Sequence, residues 1–145
     1  MPLELNSLRR SVAALNAVLE TIDDVRMMRG LNDIARSAME SGAIQHFEFT
    51  YELCWKFMKR WLEMNISPNT AEGVTRRELF RLAAENLLIV DVNQWMQHDK
   101  ARNMTSHTYD QKAAKSVYSA ARNFAGDAQR LLPKFQPYFI HYHHC

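Results

Sequence analysis

Ala43-Ile44-Gln45-His46-Phe47-Glu48-Phe49-Thr50-Tyr51-Glu52-Leu53-Cys54-Trp55-Lys56 reads as the middle of a long helix running from Ser41 to about Asn65, and it decides the fold class. Ile44, Phe47, Tyr51 and Trp55, continued by Met58 and Leu62, recur at three- and four-residue steps, the period that gathers side chains on one helix face. Phe49, Phe57 and Trp61 widen that stripe beyond what one neighbouring helix covers, so a second buried contact is expected. The stripe reads first as bundle core, and its excess width leaves room for a symmetric contact between two copies of the chain. On the other edge, Glu48, Glu52, Lys56 and Lys59 read as a solvated ladder of i,i+4 pairs, each worth only tenths of a kcal/mol, with no catalytic role.

The same period recurs on both sides of this helix. Upstream, Leu5, Leu8, Val12, Leu15, Leu19 and Ile22 predict one amphipathic helix over residues 3 to 27, with a connection around Gly30. Downstream, Asn65-Ile66-Ser67-Pro68-Asn69 opens a loop through Gly73, and a third helix begins near Thr75, offering Leu79, Leu82, Ala83 and Leu87 to the core. Arg76, Arg77 and Arg81 on that helix form a solvated group unless the fold sets them beside a phosphate-handling site. Asp91 caps a fourth helix carrying Val92, Trp95 and Met96, and a fifth runs from Thr108 to Leu132, stopped by Pro133. These elements predict an all-α, up-and-down bundle of about five helices spanning residues 1–140, with 141–145 as a loose tail.

Composition agrees. Four Gly, four Pro and 47% apolar residues in 145 favour long regular elements in a single domain. The net charge of +2 does not by itself mark a nucleic-acid binder, because counterion release needs a concentrated basic surface. Two cysteines, Cys54 within a helix and Cys145 at the last position, make no disulfide framework and point to a reducing cytoplasm. No apolar signal core stands at the N-terminus, and no run reaches the ~20 apolar residues of a membrane helix. Gly-rich phosphate loops, paired acids and metal-ligand spacings are absent, so no metal and no cofactor is expected. His143, His144 and Cys145 read as a frayed terminus, and His46 and His98 as surface or satisfied histidines.

One stretch departs from plain amphipathic helix: Arg102-Asn103-Met104-Thr105-Ser106-His107-Thr108-Tyr109-Asp110. Arginine offers a rigid fork of donors for phosphate, histidine trades a proton near neutral pH, and tyrosine carries a modifiable hydroxyl. On an unbroken helix Arg102 and His107 would not converge. Thr105, Ser106 and Thr108 compete with helix by bonding local backbone, and Thr108-x-x-Gln111 has the form of a capping box. A helix end after Arg102 and a new start after His107 would set a positive dipole end beside His107, suited to an anionic phosphate. Spacing alone favours the plainer reading, a helix cap, a satisfied hydrogen bond and a core edge, because short motifs recur by chance.

The stretch resembles the R-x4-H-x-Y motif of the HEPN superfamily, in the wording of the branch known as nucleotidyltransferase substrate-binding proteins, or HepT-like toxins. Residues 43–56 resemble that branch's signature helix, and Trp95 ahead of the Arg102-Asn103 pair sits where the family has a tryptophan; Cys54 is a minor departure. The resemblance implies a helical bundle that dimerises so that two motifs share a cleft. It also implies a separately encoded minimal nucleotidyltransferase as partner, and this chain lacks the Gly-Ser and Asp-x-Asp pattern of that enzyme. In the first of two implied functions the protein is a metal-independent endoribonuclease toxin acting on RNA. His107 then transfers the proton, Arg102 stabilises charge on the phosphate, Asn103 supports the phosphate or Arg102, and Tyr109 accepts the AMP groups that silence the site. In the second it is a non-catalytic substrate-binding subunit, with Arg102 and His107 binding a phosphate or carboxylate without turnover.

Overall fold

The computed structural model describes residues 3–107 and 110–136, with the backbone alone of His107. Tyr109, Thr108 and the expected tail 141–145 lie outside the described residues. Within them the chain is all-α: α1 (Asn6–Asp23), α2 (Val25–Arg29), α3 (Asp33–Asn65), α4 (Arg76–Glu85), α5 (Val92–Asn103), a 3-10 turn (Met104–His107), α6 (Gln111–Leu131) and a second 3-10 turn (Leu132–Phe135).

The axis is α3, whose 33 residues span about 50 Å at 1.5 Å per residue. It begins at Asp33 rather than Ser41, because the Asn32 side chain accepts the N–H of Ala35 at 2.8 Å and caps it. Its inner face packs against α1, α4, α5 and α6, which absorbs most of the apolar surplus inside one chain. Phe57 meets Phe135 with ring centroids 6.1 Å apart, and the Arg76 guanidinium lies 3.5 Å from the centre of the Trp55 ring. Of the three residues that widen the stripe, Phe49 is the one left outside, 61% exposed. Cys54 is fully buried among these helices, and burial pushes its thiol pKa far up.

The first expected helix is two. Asp24 turns extended and its carboxylate accepts the N–H groups of Arg26 and Met27, starting α2 and ending α1 at Asp23. Thr75 caps α4 as expected, its hydroxyl accepting from Glu78 N at 3.2 Å. Leu79 and Ala83 are buried as expected; Leu87 is not, standing 79% exposed at φ +63°. The end of α4 closes with Leu87 N donating to Ala84 O and Leu88 N to Ala83 O, a reversal that forces residue 87 into the left-handed region and sends Leu88 and Ile89 inward in its place.

At α6 the capping box gives way to Asp110, whose carboxylate accepts from Lys112 N at 3.0 Å, so Gln111 is the first helical residue rather than the third. Pro133 does end α6, and the turn it sits in plants Phe135 in the core. That core centres on Phe124, met at steep angles by Phe47 (5.1 Å), His98 (5.2 Å), Trp95 (5.8 Å) and Tyr51 (6.1 Å), the edge-to-face geometry aromatic quadrupoles favour. No described helix is long and apolar enough to cross a membrane.

Candidate active site

The site is built on the last turn of α5. Asp91 caps that helix, accepting from Gln94 N at 3.1 Å, and sets a register in which Trp95, His98 and Arg102 share a face. Trp95 and His98 reach the dry core, whereas at Arg102 the helix emerges and the side chain is 27% exposed. Helix then stops, as the hydroxyl-rich sequence predicts. Thr105 Oγ1 donates to Arg102 O at 2.8 Å and Ser106 Oγ to Asn103 O at 3.3 Å, and the 3-10 turn carries the backbone to His107.

The Arg102 guanidinium lies between two carboxylates of α3. Nη2 is 3.3 Å from Glu48 Oε1, Nε is 3.2 Å from Glu52 Oε1, and Nη1 donates to Thr105 Oγ1 at 3.2 Å. Only the last is an aligned hydrogen bond: Nε is shielded from solvent yet donates to nothing, because Glu52 lies close but off the N–H direction. The guanidinium is therefore clasped by charge, with donor capacity left over. This corrects the solvated-ladder expectation, since Glu48 and Glu52 turn to Arg102 instead of toward lysines.

Glu52 is tied further. Its Oε2 accepts from Trp55 Nε1 at 3.0 Å, and that indole lies under Arg76. Arg76 Nε is 3.7 Å from Asp99 Oδ1, which accepts the Tyr51 hydroxyl at 2.6 Å. Burial, then the bond to Asp99, push the Tyr51 pKa up, so the phenol stays protonated and anchors the network. Asn103 lines an open groove of 790 Å³ that it shares with Arg77, Asn93, Asp99 and Lys100. Two of the three α4 arginines thus stand beside the motif: Arg76 in the network and Arg77 on the groove.

The structure brings together Arg102, Asn103 and the backbone turn to His107; the His107 side chain and Tyr109 are not described. Glu48, Tyr51, Glu52 and Asp99 are the members that the sequence reading missed, whereas Arg76 meets the condition set for it there, a place beside the motif. Two like charges four apart on a half-buried helix repel unless a cation sits between them, and that was the available signal. His98 belongs to the core: Nε2 lies 2.6 Å from Asp127 Oδ2, and Arg130 donates to Asp127 Oδ1 at 2.6 Å. Burial lowers the His98 pKa against the pull of Asp127, so the ring is neutral and donates through Nε2. Among the described residues no group of three or more His, Cys, Asp or Glu is placed to hold a metal ion.

Comparison with known proteins identifies the lineage. The family described as nucleotidyltransferase substrate binding protein like matches residues 3–137. A relative from Haemophilus influenzae named "Probable ribonuclease HepT" is 33% identical over 135 residues, 92% of each chain. A solved structure from Haemophilus influenzae, described as the fold of a substrate binding domain of a nucleotidyltransferase, aligns with a TM-score of 0.85 at 31% identity, over 92% of this chain and 99% of that one. A crystal structure from Thermus thermophilus shares the fold at a TM-score of 0.65 and 23% identity, over 86% and 98% of the two chains. With matches that run from the first described residues through the motif and across α6, the chain belongs to the HepT-like family of nucleotidyltransferase substrate-binding proteins.

Proposed function

We propose that this protein is the HEPN component of a two-gene toxin–antitoxin module with a minimal nucleotidyltransferase, and that it is a metal-independent endoribonuclease. The observation that carries the reading is the Arg102 guanidinium at the broken end of α5, with unspent donors and one short turn before His107. In the reaction, an RNA 2′-oxygen bonds to the adjacent phosphorus as the bond to the 5′-oxygen breaks. His107 takes the 2′-hydroxyl proton, a second His107 returns one to the leaving 5′-oxygen, and Arg102 faces the charge that builds on the phosphoryl oxygens. Asn103 orients the phosphate from the groove side. The need for two histidines makes the active form a homodimer in the cytoplasm, with exposed Phe49 available to a symmetric contact.

Tyr109, two residues after His107, is the proposed acceptor through which the nucleotidyltransferase adds AMP. The added bulk and negative charge would occupy the space where RNA phosphate binds. Incubation with the cognate enzyme and ATP is expected to raise the mass by one or more AMP units in wild type and not in Tyr109→Phe.

A second reading has its own support, the description of the Haemophilus influenzae structure as a substrate binding domain. In that reading Arg102 and His107 present a phosphate- or carboxylate-bearing ligand to the nucleotidyltransferase. One experiment separates the two: purified protein incubated with cellular RNA, with and without EDTA, beside His107→Ala. The ribonuclease reading requires cleavage that survives EDTA and vanishes in the variant with helicity intact. Equal cleavage by the variant would remove His107 from its role.

A further inference from the structure

The clasp around Arg102 is asymmetric in a way that the family motif does not address. Glu52 has two tethers, the guanidinium and the Trp55 indole, and the indole is fixed in turn by Arg76, Asp99 and Tyr51. Glu48 has a single contact among those described, Arg102 Nη2, and its side chain is 41% exposed. Both carboxylates lie against the guanidinium that would have to meet a phosphate, and neither makes an aligned hydrogen bond to it. A phosphate offers more acceptor oxygens and can align with the arginine fork in a bidentate way, so it can replace the weaker partner but not both at once.

We infer that Glu48 and Glu52 have opposite roles toward a phosphodiester: Glu52 is a positioning residue that holds Arg102 in place, and Glu48 is a displaceable counter-ion that closes the site until RNA phosphate takes its place. The inference rests on the proposed phosphodiester function and deepens it. The unliganded guanidinium stays neutralised by Glu48, which suppresses capture of small anions, and the carboxylate swings to solvent on RNA binding. Glu52 cannot swing without releasing the indole. Arg102 therefore stays aimed while one of its two charges is exchanged.

The test uses the full-length protein and a single-stranded oligonucleotide in two forms, all-ribose and 2′-deoxy, so that binding is read without cleavage. Glu48→Gln is expected to bind the 2′-deoxy oligonucleotide about 3- to 10-fold more tightly than wild type, the size of one partly exposed charge contact, with a steeper salt dependence because the guanidinium is no longer neutralised from within. Glu52→Ala is expected to bind more weakly and to lose about 10-fold or more in kcat, as a displaced phosphate-binding donor does. Glu52→Gln, which keeps an acceptor for the indole, should recover much of that loss. The recovery separates positioning from charge and covers the case in which the alanine variant folds poorly. Weaker or unchanged binding by Glu48→Gln, or full kcat in Glu52→Ala, overturns the inference. Wild type that binds both oligonucleotides without cutting either overturns the ribonuclease reading alone and leaves the clasp to be judged by binding. Failure of wild type to bind either overturns both.

Discussion

His98 and Arg102 stand about one turn apart on the same face of α5, and each lies against carboxylate. His98 sits 1% exposed at 2.6 Å from Asp127, whose other oxygen is taken by Arg130. Arg102 sits at the rim with two carboxylates at 3.2 and 3.3 Å, one aligned hydrogen bond to Thr105 and a shielded Nε that donates to nothing. The first arrangement is closed: a neutral ring, one short bond, aromatic walls on Trp95 and Phe124. The second holds charge against charge with capacity to spare. A buried titratable group held by a fixed partner serves the fold, whereas unpaired donors at an emerging helix end are what the proposed phosphate-binding role requires.

The comparison breaks most visibly at Phe124, the ring on which His98, Trp95, Phe47 and Tyr51 converge. Phe124→Ala is expected to lose about 3–5 kcal/mol of stability, measured by urea unfolding. Arg102→Ala should leave stability within about 1 kcal/mol of wild type while lowering RNA cleavage about 100-fold or more. Matching stability losses in these two variants would erase the distinction between the regions.

A finer probe is Asp127→Ala, which strands the buried His98 and is expected to cost about 1–3 kcal/mol. The same pair gives a pH signature. The folded pKa of His98 lies below its ordinary 6.5, so its contribution is fully present above pH 6.5 and is lost as pH falls from there, by at most about 1.4 kcal/mol for each pH unit. Asp127 is also held low. Burial alone would raise it, and the hydrogen bonds from Arg130 and His98 outweigh that, so its share is lost only on further acidification below its ordinary 3.8. Urea midpoints at pH 7.5 and 5.5 should therefore fall in wild type and converge in His98→Gln. The smallest effect lies outside both regions. Leu87→Gly relieves a largely exposed left-handed leucine and should gain about 0.5–1 kcal/mol, read as a raised thermal midpoint.

Much of this architecture was legible because it rests on local period and local caps. Asn65 to Gly73, Thr75 and Asp91 mark real boundaries, since a side-chain oxygen within three residues of a free N–H is a sequence-local fact. The break between Arg102 and His107 was legible for the same reason. Asn32, Asp24 and Asp110 were equally local, and they lost in the reading to a stronger apolar period or to a plausible capping box nearby. The clasp was legible only as a want of some cation between Glu48 and Glu52; that Arg102 supplies it was not, because the two helices are far apart in sequence and no local rule pairs them. Leu87 was misplaced because its spacing fits a core stripe, while the reversal that exposes it is set by backbone bonds one turn away.

Cys54 has a consequence of a different kind. Its sulfur is sealed inside α3 by surrounding helices and its proton is held tightly, so a thiol reagent outside the folded protein has neither access nor a thiolate to attack. In a Cys145→Ser background this sulfur becomes a clock that runs only while the bundle is open. The rate at which it reacts, followed as reagent concentration rises, reports how often α3 loses its neighbours, on a timescale that equilibrium unfolding never sees.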